Sequence, residues 1–231
     1  PETAPAAKIA QLLIFGATVF KVQGTYEQAF DLCTQACVRF GWYNRNSGMN
    51  PFLVEGKKTA GLEIAEQCGK EMPDWVVISV GDGCTIAGVW KGLLEMKRLG
   101  FCDRLPRMLG VQAEGAAPIT HAFKTKTPFS QCDASTFADS ICVGHPRNWR
   151  KALASIEESH GAMVAVPDGT ILHAMRQTAR LGGVFGEPAG VAAVAGVLQA
   201  RADGVIGQND SVLAVITGSG LKDVRSAQEA A

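Results

Sequence analysis

A strand-like apolar run, Trp75-Val76-Val77-Ile78-Ser79-Val80, leads into Gly81-Asp82-Gly83-Cys84-Thr85 and then into a helical pattern from Thr85 to Leu99. Glycines let backbone N–H groups come close to an anion, and a helix N-terminus adds a partial positive charge. Gly81, Asp82, Gly83, Cys84 and Thr85 are therefore candidates for a phosphate cradle. The same residues also suit a tight strand-to-helix turn that holds nothing. The segment is no P-loop, because no Gly-Lys-Ser/Thr follows, and it lacks the G-x-G-x-x-G spacing of a dinucleotide fingerprint.

Three further segments carry chemical potential. Val212-Leu213-Ala214-Val215-Ile216 runs into Thr217-Gly218-Ser219-Gly220-Leu221-Lys222-Asp223. In open α/β sheets ligands bind beyond the carboxyl ends of the strands, where Thr217 would sit; an ordinary exit turn is the alternative. Trp42 to Phe52 gathers Asn44, Arg45, Asn46, Ser47 and Asn50 in a turn-rich stretch ahead of a helix. Such a loop suits a carboxylate or phosphate, or equally a solvated turn. Glu187, in Phe185-Gly186-Glu187-Pro188, is a site carboxylate or a helix cap. His121, His145, His160 and His173 are scattered, and each reads as a surface or structural residue.

The elements that must position these residues alternate. Helical patterns cover residues 7–15, 25–40, 53–68, 85–99, 147–159, 168–181 and 188–202, and strands cover 17–22, 75–80, 108–112, 162–166 and 211–216. Thr25 opens its helix with a glutamate in the first turn, and Pro188 stands in the first turn of another. Residues 116–135, rich in Thr, Pro and Ser, carry little pattern. Fully apolar strands alternating with helices predict an α/β fold with a mostly parallel twisted sheet flanked by helices.

Composition narrows the function classes. The chain has 231 residues with 22 Lys plus Arg against 22 Asp plus Glu, so no basic excess marks a nucleic-acid partner. Hydrophobic residues make up 47% and charged residues 19%, enough to bury a sizeable core. No apolar run reaches the ~18 residues of a membrane helix, so no membrane partner is expected. The seven cysteines form no C-x-x-C pair, and no histidine cluster stands at metal-ligand spacing. Free thiols in a cytoplasmic protein, with no metal site, are the expectation. The chain opens at Pro1 on a Pro- and Ala-rich stretch, as the middle of a longer protein would.

Read together, the segments resemble the fold-type-II pyridoxal-phosphate enzymes, and among them the threonine synthase family, over nearly the whole chain. The resemblance rests on residues 5–11 with Phe15-Gly16-Ala17, on Gly24-Thr25-Tyr26, and on Asn50-Pro51 followed by Glu55-Gly56-Lys57-Lys58-Thr59. It continues through Val80-Gly81-Asp82-Gly83, Gly110-Val111-Gln112-Ala113-Glu114-Gly115, Ala138-Asp139-Ser140 and Glu187-Pro188-Ala189 to Thr217-Gly218-Ser219-Gly220-Leu221-Lys222-Asp223. It implies pyridoxal 5'-phosphate as cofactor, held at its phosphate by Gly81, Asp82, Gly83, Cys84 and Thr85. It further implies that Thr217 offers a neutral hydroxyl to the pyridine nitrogen, and that Asn46, Ser47 and Asn50 face a small amino-acid substrate. The implied reaction is a carbon–oxygen lyase step, O-phosphohomoserine plus water to threonine plus phosphate, in a family that is commonly dimeric.

Two departures qualify that picture. The family's Schiff-base lysine lies in an N-terminal Ser-x-Lys-Asp motif followed by a Ser/Thr-Gly-Asn loop, and neither occurs here. Lys222-Asp223 stands in the C-terminal Thr-Gly-x-Gly segment instead, and Lys57 and Lys58 match helical positions that are not the catalytic lysine. The chain is therefore expected to be the part of an enzyme downstream of that lysine, with no catalytic residue of its own and no activity alone. Residues 1–40 would be the remnant of a smaller α/β domain and 41–231 the larger, cofactor-binding domain. Some family members also carry an arginine soon after Asn-Pro for the substrate phosphate; here Phe52 and Leu53 follow Pro51, leaving Arg45 as a candidate substitute. The alternatives are a threonine or serine dehydratase-like deaminase, a non-catalytic binding protein on the same fold, and a Rossmann-like nucleotide-binding domain. The last lacks the expected acidic residue after its loop.

Overall fold

The computed structural model describes residues 1–231. The run from Trp75 sends alternate side chains into two apolar layers, because successive strand residues point to opposite faces. Val76, Ile78 and Val80 join one buried cluster, and Trp75 and Val77 join the other. This strand, β1 (Trp75–Ser79), lies inside a parallel sheet with β2 (Arg107–Ala113), β3 (Ala162–Val166) and β4 (Val212–Ala214). The strand order is β3-β2-β1-β4. Register is set by pairs such as Val76 with Met108, Val76 with Leu213 and Val111 with Val164.

Nine helices accompany the sheet: α1 (Ala6–Ile14), α2 (Tyr26–Phe40), α3 (Pro51–Cys68), α4 (Cys84–Arg98), α5 (Pro118–Thr125), α6 (Trp149–Glu158), α7 (Asp168–Gly182), α8 (Pro188–Ala202) and α9 (Val224–Ala230). Residues of α3 to α6 fill the cluster on one face of the sheet, and residues of α7, α8 and α9 fill the other. The Ala-rich α8 is buried along most of its length, as a helix without a polar side must be. Side-chain-free backbone brings α3 and α4 together. A Cβ on Gly61 would fall 2.2 Å from the Val89 carbonyl oxygen, and one on Gly92 would fall 2.4 Å from that of Lys58.

The chain advances from β1 to β2 to β3 on one side of β1 and returns to add β4 on the other. The carboxyl ends of β1 and β4 are therefore neighbours at the point where strand order reverses. Open parallel sheets form ligand crevices at such points.

Three expectations change. Residues 17–22 are not a strand, because none of the four strands lies beside them to complete a hydrogen-bond ladder. Residues 118–125, within the weakly patterned stretch, form α5; its start is fixed by the buried Gln112 side chain, whose Oε1 accepts from Thr120 N at 2.8 Å. The last strand spans Val212–Ala214 rather than residues 211–216.

Polar contacts tie residues 1–40 to the rest of the chain, and Phe30 is buried beneath the Arg147 side chain. Lys8 Nζ donates to Asp139 Oδ2 at 2.8 Å and to Ser140 Oγ at 2.7 Å. Glu27 Oε1 accepts from the N–H groups of Gly144 and His145 at 2.8 and 3.2 Å. Helix α1 buries no residue, and Ile14, Phe15, Phe20 and Val38 stand in solvent. No helix is long and apolar enough to cross a membrane.

Candidate functional site

A cavity of about 360 Å³ opens where β1 and β4 end. Its floor is the loop Gly81–Thr85. Its walls are Ser79, Thr217, Glu187 and Ala189, the segment Asp139–Ile141, and the side chains of Tyr26, Ser47 and Lys57.

The loop takes its form from Gly83, the residue before α4. Its φ is +90°, which side-chain-bearing residues rarely adopt, and a Cβ there would lie 2.9 Å from Ala152 Cβ and 3.0 Å from the Asn148 carbonyl oxygen. The N–H groups of Gly81, Asp82 and Gly83 have no acceptor within the chain, and α4 adds the unpaired N–H groups of its first turn. Anions gather at such sites, because the aligned dipoles and free donors both favour negative charge. The residues present thus fit the phosphate of pyridoxal 5'-phosphate, the chemistry being backbone donors over a small cavity.

The side chain of Asp82 is turned away from that task. Its Oδ2 accepts from the Tyr26 hydroxyl at 2.9 Å and its Oδ1 from Arg147 N at 3.0 Å, leaving the backbone N–H for a ligand. Burial and the Asp82 carboxylate push the Tyr26 phenol well above its ordinary pKa, so it stays a donor. Burial pushes the Cys84 thiol up to about 11, with Asp82 adding to the rise. Its sulfur accepts from Asn148 Nδ2 at 3.0 Å, so Cys84 is a buried neutral wall and not a nucleophile. Thr217, beyond β4, is exposed on the cavity with no hydrogen-bond partner for its hydroxyl. Glu187 is 5% exposed; its N–H donates to the Gly218 carbonyl at 2.9 Å and its carboxylate lies 3.5 Å from Lys8 Nζ.

The expected residues Gly81, Asp82, Gly83, Cys84, Thr85 and Thr217 all line this one cavity, as do Ser47 and Glu187. Asn46, Asn50 and Arg45 do not line it. Asn50 caps α3: its Oδ1 accepts from Phe52 N and its Nδ2 donates to the Asn44 carbonyl, both at 3.0 Å. The Asn-Pro pair at that point is a helix start, with proline in the first turn. Arg45 is exposed. Asn46 N donates to Asn44 Oδ1, and its buried Nδ2 has no acceptor. Sequence reasoning did not assign Tyr26, Lys57, Asp139 or Ser140 to the site. All four fell within motifs quoted for the resemblance, but their meeting with the glycine loop is a tertiary contact. A second, wider groove of about 1120 Å³ adjoins the cavity and shares Tyr26 and Asp139 with it.

Comparison with known proteins identifies the family and the fold. Residues 1–218 match the family described as pyridoxal-phosphate dependent enzyme. The chain is 41% identical over 218 residues to a threonine synthase of Methanosarcina acetivorans, covering 94% of this chain and 54% of that protein. It is 37% identical over 230 residues to a threonine synthase of Methanocaldococcus jannaschii, covering 96% and 56%. The chain thus spans about half the length of these curated relatives. Among solved structures, the processed form of threonine deaminase isoform 2 from Solanum lycopersicum superposes with a TM-score of 0.78 at 23% identity, over all of this chain and 64% of that one. Diaminopropionate ammonia lyase from Escherichia coli gives 0.80 at 17% identity, over 100% and 62%. These two likenesses establish the α/β architecture, and the family match, spanning nearly all of the sequence, establishes that the chain belongs to the pyridoxal-phosphate-dependent enzymes.

Proposed function

We propose that the complete protein is a carbon–oxygen lyase of the threonine synthase type, taking O-phosphohomoserine and water to threonine and phosphate. The observation that carries this reading is the cavity itself: free N–H groups at the start of α4 and an unpartnered Thr217 hydroxyl line it together, at the ends of two adjacent strands. The 37–41% identity to threonine synthases supports the substrate choice. The fold neighbours include a threonine deaminase, which keeps a serine or threonine deaminase as the second reading.

The cofactor, when bound, draws electrons from the substrate's carbon skeleton, so that protons can leave and the phosphate can depart. Gly81, Asp82, Gly83, Cys84 and Thr85 would hold its phosphate through N–H groups, and Thr217 would give its ring nitrogen an uncharged partner. Ser47 stands where an amino-acid substrate would enter. Tyr26 and Asp82 fix the loop. Ile86, Val80 and Ala189 are buried apolar walls beside the loop. None of the residues here takes the role of the lysine that carries the cofactor, which in this reading lies in the complete protein beyond residues 1–231. Residues 1–40 would belong to a smaller domain, residues 41–231 to the larger one, and the protein to the cytoplasm as a homodimer.

The test is product analysis with the complete, cofactor-loaded protein. Threonine and inorganic phosphate from O-phosphohomoserine support the reading. Ammonia and a 2-oxo acid from serine or threonine, with no phosphate release, replace it with the deaminase. Absence of either product, with cofactor bound, points to a binding protein on this fold.

A further inference from the structure

The cavity has one cationic lining residue, Lys57, and three lining carboxylates, Asp82, Asp139 and Glu187. Each carboxylate is already engaged. Asp82 accepts from Tyr26 and from Arg147 N, while Asp139 and Glu187 share Lys8. Lys57 forms no ion pair; its Nζ approaches only Ser47 Oγ, at 3.4 Å. Its neighbours on α3 and α4 behave differently. Lys58 pairs with Glu55 and Glu95, and Lys91 pairs with Glu55, on the outer side of the two helices. One residue turns about 100° round an α-helix, and that turn takes Lys57 off this network and onto the cavity.

The placement is built into the backbone. A Cβ on Gly88 would fall 2.8 Å from Lys57 Cβ, so the bare Gly88 backbone is what lets α3 bring this side chain in against α4. The charge also reaches the site, since Lys57 opposes the rise in the Cys84 thiol's pKa. On the same loop as Ser47, Asn46 Nδ2 is a buried donor without an acceptor. An unpaired ammonium beside a hydroxyl, in a cavity whose carboxylates each have a partner other than this lysine, suits an anion supplied from outside the chain.

We infer that Lys57, with Ser47, is the anion-binding residue for the substrate's phosphate ester, a second phosphate site beside the glycine loop. The inference rests on the reading of this cavity as a pyridoxal-phosphate site and names the group that makes a phosphorylated amino acid the preferred substrate. Phosphate esters reach the cavity from two sources, substrate and cofactor. The loop supplies a full set of backbone donors for one of them, and Lys57 lies on a different helix, available for the other.

Three variants of the complete, cofactor-loaded protein test this. Lys57→Met keeps the apolar stem and removes the charge, Lys57→Arg restores it, and Ser47→Ala removes the hydroxyl. Inorganic phosphate is titrated by calorimetry, and cofactor affinity is titrated separately by absorbance. The expected result is a loss of phosphate affinity of about 10- to 100-fold in Lys57→Met. Lys57→Arg should recover most of it, and cofactor affinity should stay within about twofold. KM for O-phosphohomoserine rises in parallel, with kcat little changed. Unchanged phosphate binding in Lys57→Met overturns the inference. So does a loss of cofactor affinity with phosphate binding intact, which would give Lys57 to the cofactor phosphate instead. A protein that makes no threonine yet binds phosphate through Lys57 would sink the proposed reaction and keep this site.

Discussion

The Tyr26 hydroxyl donates to Asp82 Oδ2 at 2.9 Å, tying the first turn of α2 to the glycine loop more than fifty residues away. The other carboxylate oxygen of Asp82 accepts from Arg147 N, so one side chain joins three segments around the cavity. The loop's donors are free for a ligand because Asp82 is occupied elsewhere. Replacing Tyr26 with Phe leaves Oδ2 without its donor in a half-buried place, at a cost of about 1–2 kcal/mol. Urea unfolding should show that loss. Cofactor affinity should drop with it, because the loop loses an anchor and not a ligand. A Tyr26→Phe protein of unchanged stability would mean the contact is not maintained in solution.

Gly83 is the position where the loop tolerates no side chain. Gly83→Ala adds left-handed strain to a Cβ crowded by Ala152 and Asn148, and should cost about 2–4 kcal/mol. Gly100 provides the comparison, since its φ is +80° but a Cβ there meets nothing within 4 Å. Gly100→Ala should cost only the backbone strain, about 1–2 kcal/mol. Paired denaturation curves read the difference, and cofactor titration should show a defect in Gly83→Ala alone.

Much of this was legible because it is local. A five-residue strand, a glycine turn and a helix start are written in consecutive letters, and the candidate residues Gly81–Thr85 and Thr217 follow strand ends. Asn50 was legible too, but ambiguous: Asn before Pro is a helix cap as readily as a substrate contact, and the cap is what α3 uses. Lys57 was hidden, since its approach to the cavity depends on the bare backbone of Gly88 across a helix interface. Helix α5 was hidden behind the Thr, Pro and Ser residues around it; its anchor, Gln112, lies on another strand. Residues 17–22 have the composition of a strand, but pairing needs a neighbour that composition does not supply.

Thr217 separates function from stability. It is exposed and its hydroxyl bonds to nothing in the chain, so Thr217→Ala should leave unfolding within about 0.5 kcal/mol. In the cofactor-loaded complete protein the same change should lower turnover about tenfold or more, with an altered cofactor absorbance band, if the ring nitrogen has the uncharged partner proposed for it. Normal turnover and spectrum in Thr217→Ala would remove the hydroxyl from the site.

At the far end of the sheet, Asp74 Oδ2 accepts from the N–H and hydroxyl of Ser211, both at 2.8 Å, and Arg104 pairs with its other oxygen at 2.9 Å. The Ser211 N–H and hydroxyl, ahead of Arg104, hold the Asp74 pKa at about 2 against an ordinary 3.8. The folded-state value is the lower one, so the stabilisation is complete above 3.8 and is lost as pH falls towards 2. Asp74→Asn should melt below the parent at pH 6, and the two should converge near pH 2. Curves that stay parallel across that window would rule out this clasp between β1 and β4.

Two lysines approach the cavity, and in the proposed reading neither carries the cofactor. Lys8 Nζ is held by Asp139, Ser140 and Glu187, which occupy its donors. Lys57 stands on α3 beside Ser47, with its stem laid across Gly88. Borohydride fixes pyridoxal phosphate wherever a lysine nitrogen has joined its aldehyde, so reduction at one equivalent of cofactor maps that lysine directly. In the complete protein, peptide mapping should find a single modified lysine, and it should lie outside residues 1–231. A chain of residues 1–231 alone should give no stoichiometric label and release no phosphate from O-phosphohomoserine. Stoichiometric labelling at Lys57 would overturn both the assignment of the catalytic lysine and the role of Lys57 as a phosphate cation, since one nitrogen cannot serve both.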